Sequence, residues 1–151
     1  MKIKSHLLLL SAALLIGGVA SACTRSHTLS NLPITFHYHN KTHYLGLYTV
    51  RLNPTIMAIE NQDAAPGYPY YKKHWWGSCP GGLNGKDGSC TEFTVYPNSN
   101  NFSPDIMKKI KKYTGGRANR GEVRILTDKS ETRYIYTTDH ERKFCGPYTL
   151  A

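Results

Sequence analysis

The chain predicts a mainly β fold with one helix (α+β): an antiparallel sheet of five or six strands packed by a single short helix. Three observations carry that expectation. Residues 33–52 alternate apolar and polar side chains on both sides of an interruption. Residues 122–138 hold two further β-rich runs around Asp128-Lys129-Ser130-Glu131. Only residues 103–113 combine a helix start, an apolar stripe and a helix stop.

The first segment is an address rather than a fold element. Lys2 and Lys4 precede an apolar run over 7–19, broken only by Ser11, and Ala20-Ser21-Ala22 supplies small residues before Cys23. That is the layout of a secretory signal. A bilayer-spanning helix needs about 20 apolar residues, so the run is too short to span. The expected division is a signal peptide over 1–22, a polar tether over 23–32 and one β-rich domain over 33–151. VASAC (19–23) also has the form of a bacterial lipobox, with Ala20 where Leu or Val is usual. On that reading Cys23 is lipidated, and Thr24, which is not an Asp-type retention signal, directs the protein to the outer membrane, facing the periplasm. The other reading leaves Cys23 as a free thiol that pairs with another cysteine in a soluble periplasmic or secreted protein.

Removing 22 residues from 151 leaves 129, one domain's worth. The chain carries 19 Lys+Arg against 10 Asp+Glu; without Lys2 and Lys4 the balance is 17 minus 10, or +7. Such a charge favours anionic partners: nucleic acid, lipid A phosphates, anionic lipids or an acidic protein. Four cysteines in an exported chain point to disulfides. Cys79 and Cys90 are the preferred pair, because PGGLNGKDGS between them is rich in turn formers and lets the chain double back.

Along the chain, residues 24–32 (TRSHTLSNL) are polar and aperiodic. Ile34, Phe36 and Tyr38 then alternate with Thr35, His37 and His39, and a second β-rich run ends at Leu52. Together they predict a hairpin with its break at Asn40-Lys41-Thr42, closed by Asn53-Pro54. Residues 55–60 read as a third, short strand and 61–71 as loop. Phe93 and Val95 mark a strand over 91–96. Ser103, Pro104 and Asp105 start the helix; Ile106, Met107, Ile110 and Tyr113 share a face; Gly115-Gly116 stops it. Cys145 pins the tail.

The most distinctive surface stretch is YPYYKKHWW (68–76), five aromatics interleaved with Lys72, Lys73 and His74. Tyr70, Tyr71, Lys72, Lys73, Trp75 and Trp76 are the candidate binding residues, since Tyr and Trp supply contact area and lysines steer an anionic partner. Adjacent tryptophans on a strand face opposite ways, so one of them is expected near the surface. His37 and His39, two apart on a strand with His43 beyond the turn, have the spacing for a metal, but an exposed strand face accounts for them and no HExxH or CxxC supports a site. No metal, cofactor or catalytic group is assigned. A nuclease would use His37 or His39 with His140 as acid and base and Lys or Arg on phosphate.

The run ITFHYHNKTHYLGLYTV (34–50) resembles the opening of an uncharacterised family of short proteobacterial exported lipoproteins, some of which lie beside type VI secretion effectors. GEVRILT (121–127) is similar to their closing strand. The family's Gly-rich stretch with adjacent cysteines is not matched: this chain has Gly81-Gly82 and the separated Cys79 and Cys90. The resemblance implies no site residue. The expected function is a non-enzymatic, envelope-anchored lipoprotein that binds a protein partner in the periplasm, as an immunity or accessory protein, with nucleic acid an unlikely partner. The alternative is a small soluble secreted basic enzyme such as a nuclease.

Overall fold

The N-terminal strand β1 (Thr28–Tyr38) runs straight into a two-residue turn at His39-Asn40 and returns as β2 (Lys41–Arg51). Both turn residues have positive φ, 49° and 60°, the hand that matches the twist of a hairpin. This is a computed structural model, which describes residues 23–62, 72–97, 100–115, 121–139 and 143–151. The signal segment and Tyr70, Tyr71 and His140 lie outside them.

The hairpin starts earlier than its alternation suggested. Leu29 and Leu32 are buried in the main core, and Thr24 is held by the Tyr136 hydroxyl, which accepts its N–H and donates to its carbonyl. The polar tether expected over 23–32 is therefore strand from Thr28 onward and docked through Thr24, Leu29 and Leu32. Its polar residues face out from β1 while two leucines face in, a pattern that nine mixed residues disguise.

After Leu52 the chain forms α1 (Asn53–Glu60), not the strand expected over 55–60. Pro54 has the φ required in a first helical turn. Leu52, Ile56 and Ile59 sit at i, i+4 and i+7 and are all buried, so helical spacing outweighs the β preference of Thr55, Ile56 and Ile59. The structure thus has two helices where one was expected. The second, α2 (Pro104–Thr114), follows its sequence signals: Ser103 at the N-cap position, Pro104 next, Ile106 and Ile110 buried, and Gly115 closing it in the left-handed conformation at φ 63°.

Five strands make the second sheet: β3 (Lys72–His74), β4 (Thr91–Thr94), β5 (Arg124–Thr127), β6 (Arg133–Thr137) and β7 (Cys145–Thr149). They pair antiparallel in sequence order. The fold is mainly β and antiparallel, as expected, in two sheets instead of one. The tail, expected only to be pinned, is β7, which pairs with β6 through Tyr134–Tyr148 and Tyr136–Cys145.

One face of this sheet carries Phe93, Ile125, Tyr134 and Tyr136 and packs on the hairpin and both helices. Burial raises the pKa of the Tyr134 and Tyr136 hydroxyls above the ordinary tyrosine range. On the opposite face Leu126 and Ile135 meet Leu83, Cys90, Trp75, Cys79 and Phe144 in a smaller cluster under the 75–90 loop.

Two disulfides close the structure. Cys79–Cys90 is the pair expected. Cys23–Cys145 ties the start of the domain to β7. Cys23 is thus disulfide-bonded in this structure, the second of its two readings. Among the described residues no helix is long and apolar enough to cross a membrane.

Candidate functional site

Strand alternation decides which side chains share the sheet's second face. The register pairs Lys73 with Glu92, Glu92 with Leu126 and Leu126 with Ile135. The next row pairs Thr94 with Arg124 and Arg124 with Thr137. The first row becomes apolar as it runs under the 75–90 loop. The second is polar throughout, and Glu92, Thr94, Arg124 and Thr137 are all buried.

Glu92 and Arg124 are diagonal neighbours across β4 and β5. Arg124 Nε lies 3.5 Å from Glu92 Oε1, and Lys73 Nζ reaches the same oxygen at 3.4 Å from the rim, where its side chain is 43% exposed. A terminal Arg124 nitrogen, Nη1, donates to the Val123 carbonyl at 2.9 Å, which fixes the guanidinium plane. The Thr137 hydroxyl donates to Asp139 Oδ1 at 2.9 Å, and the same oxygen accepts the Lys143 N–H at 3.1 Å. The face therefore offers a carboxylate, a guanidinium, an ammonium and two threonine hydroxyls.

Burying such charges costs several kcal/mol per ion, and apolar residues of equal volume would fold as well or better. Small exported domains need cores, so a buried polar half-face is a candidate for chemistry. Sequence reading passed over Glu92 and Arg124 because alternation alone assigns both to a solvated side. The signal was topological: each lies on an inner strand whose other face is apolar.

The described part of the aromatic-basic stretch, 72–76, does not form one surface. Lys73 and Trp75 point to the second face, where Trp75 Nε1 donates to the Ser78 carbonyl at 3.2 Å and its ring packs edge-on to Phe144. Lys72 points the other way, over the Phe93 ring and 3.2 Å from Glu131 Oε1. Trp76 is 82% exposed and packs edge-on to His74, ring centroids 4.8 Å apart. One tryptophan is thus built in and its neighbour projects, although both lie just past the end of β3.

The histidines named from sequence are dispersed. His37 Nδ1 is 3.1 Å from the Thr42 hydroxyl, His39 is a turn residue packed on Tyr38, and His43 stacks on Tyr113. His37 and His39 belong to the hairpin, which covers the face opposite Glu92. Among the described residues no three His, Cys, Asp or Glu side chains converge as a metal site.

No family model, curated protein or solved structure matches this chain.

Proposed function

We propose that the face built by Lys73, Glu92, Thr94, Arg124 and Thr137 cleaves RNA in the oxidising compartment to which the chain is exported. The observation that carries this reading is the Glu92 carboxylate held against Arg124, with the 43% exposed Lys73 side chain at the rim; Glu92 and Arg124 are buried, so the reading requires this face to open to RNA. RNA brings its own nucleophile, the 2′-hydroxyl. Glu92 removes that proton as general base; the 2′ oxygen bonds to phosphorus and the bond from phosphorus to the 5′ oxygen breaks, leaving a 2′,3′-cyclic phosphate. Arg124 and Lys73 take the charge that grows on the non-bridging oxygens. An acid must return a proton to the leaving 5′ oxygen. His140, the sequence's own candidate for that acid, lies outside the described residues. The basic balance steers a polyanion to the protein.

The test is cleavage of a labelled single-stranded RNA and its DNA counterpart by the oxidised protein. Glu92→Gln and His140→Ala should each slow RNA cleavage by about 100-fold or more, the usual worth of a general base or acid. His37→Ala and His39→Ala should change it less than about twofold, and DNA should stay intact for want of a 2′-hydroxyl. Wild-type rates in Glu92→Gln would remove the site.

A second reading keeps the expected non-enzymatic binding protein, and one observation favours it: Trp76 stands 82% exposed beside His74 at the end of the edge strand β3. Exposed Trp anchors are typical interface residues. Here the protein binds a partner in the periplasm as an immunity or accessory protein. Trp76→Ala would abolish co-purification of that partner and leave RNA untouched. Insensitivity of a deletion strain to every neighbouring toxin would end the immunity version.

A further inference from the structure

The backbone of β3 faces two ways, and only one of them is paired. The Trp75 N–H donates to the Cys90 carbonyl at 3.0 Å, two steps along the register that pairs Lys73 with Glu92. Hydrogen bonding across an antiparallel pair alternates, so Lys73 and Trp75 turn their N–H and C=O toward β4. The far side of β4 agrees. Val95 donates to Val123 there, which turns the backbone of Phe93 toward β5 and leaves that of Glu92 for β3. Lys72 and His74 therefore aim their N–H and C=O away from the sheet. β3 is the end strand of the order, all three of its residues are exposed, and among the described residues no strand continues the ladder. Just past its end the exposed Trp76 indole packs edge-on to His74, so it stands beside this open edge.

We propose that the β3 edge takes an extended, acidic segment of a partner protein as an added strand, with an apolar side chain of that segment packed on Trp76. In strand addition the main-chain bonds supply affinity and the alternate side chains supply specificity. The free N–H and C=O groups of Lys72 and His74 are the first requirement, and Trp76 meets the second. Charge selects the occupant. A second copy laid antiparallel on this edge would set one Lys-Lys-His run against another, and like charges across a ladder repel. Glutamate or aspartate in the added strand meets the same cations favourably. Lys72 and Lys73 each already touch one carboxylate, yet their side chains stay 58% and 43% exposed. The proposal rests on the partner-binding reading of Trp76, to which it adds the partner's chemistry, and it is independent of RNA cleavage.

The probes are fluorophore-labelled peptides of about six residues, an ordinary strand length, that alternate glutamate or lysine with valine. Titrated into the disulfide-bonded protein, the glutamate peptide should bind and the lysine peptide should not. In the saturated complex, amide hydrogen exchange at Lys72 and His74 should slow by about tenfold or more. His74→Pro removes an outward donor and no ladder bond, so it is compatible with an edge strand. It should bind about tenfold less tightly, the worth of one hydrogen bond, whereas His74→Ala, which keeps the N–H, should lose less than about threefold. Trp76→Ala should lose about 30-fold. A fully N-methylated glutamate peptide has the same charge and no N–H, and it should not bind; this check and the exchange measurement need no variant to fold. Unchanged exchange at Lys72 and His74, or equal binding of the methylated peptide, would overturn strand addition. No binding of the glutamate peptide, or equal binding of the lysine peptide, would overturn the acidic occupant. A dimer in sedimentation velocity that His74→Pro dissolves would assign the edge to a second copy. A native partner that His74→Pro retains and Trp76→Ala loses would leave the partner-binding reading standing and end strand addition.

Discussion

Glu92 Oε1 lies 3.5 Å from Arg124 Nε across the β4–β5 ladder, and both side chains are almost wholly buried. Removing Arg124 takes a buried cation from the Glu92 carboxylate, which keeps Lys73 at the rim, so Arg124→Leu should cost up to about 3–5 kcal/mol in urea unfolding. Replacing both with apolar residues of similar volume, Glu92→Leu/Arg124→Met, should restore stability to the wild-type level or above. The double variant should have no RNA cleavage. Stability recovered without activity separates a site kept for function from one kept for folding.

The two disulfides close very different lengths of chain, with sequence separations of 122 and 11. In the chain-entropy model the longer is worth about 5 kcal/mol and the shorter about 3. Cys23→Ser/Cys145→Ser should therefore lower the thermal midpoint more than Cys79→Ser/Cys90→Ser. The intact mass of native protein should match 129 residues with two disulfides. An acylated mass beginning at Cys23 would contradict the Cys23–Cys145 bond.

Asp128 caps the β5–β6 turn. Burial opposes its charge, but hydrogen bonds from the Arg133 N–H, the Thr132 hydroxyl and the Thr132 N–H, with the Arg133 guanidinium beside it, outweigh that and hold its pKa below the usual carboxylate range. A depressed pKa gives stability that is present above the unfolded value, near pH 4, and fades as pH falls through the folded one. Asp128→Asn should be less stable than wild type at pH 7. The gap should close below about pH 4 in denaturant titrations at stepped pH.

Gly85 is packed by the shorter disulfide. A Cβ there would collide with Cys79 Sγ and Ser89 Oγ. Gly85→Ala should hinder the Cys79–Cys90 bond, leaving two titratable thiols in the oxidised protein. Gly77→Ala, where a Cβ meets open space but φ is +97°, strains the backbone without touching the disulfide and should leave none.

Elements whose burial follows a single period were legible from the chain alone. Ile34 and Phe36 on β1, Ile106 and Ile110 on α2, and the Cys79–Cys90 loop follow from spacing and turn chemistry. The helix α1 was not legible as such, because Thr55, Ile56 and Ile59 favour strands and only packing reveals their helical spacing. β7 was hidden by Gly146 and Pro147, residues depleted in strands yet tolerated at a sheet edge. The face at Glu92 needed the fold: TEFTV tells which side Glu92 takes, and β3 and β5 on its flanks make β4 an inner strand, but only the packed structure shows that this side is buried.

The most direct measurement is mass spectrometry of the 3′ ends left on a short RNA by the oxidised protein and by Glu92→Gln. The account predicts 2′,3′-cyclic phosphate ends from wild type, formed at least about 100 times more slowly by the variant. Intact RNA after long incubation with wild type, or the same ends at the same rate from Glu92→Gln, would contradict it.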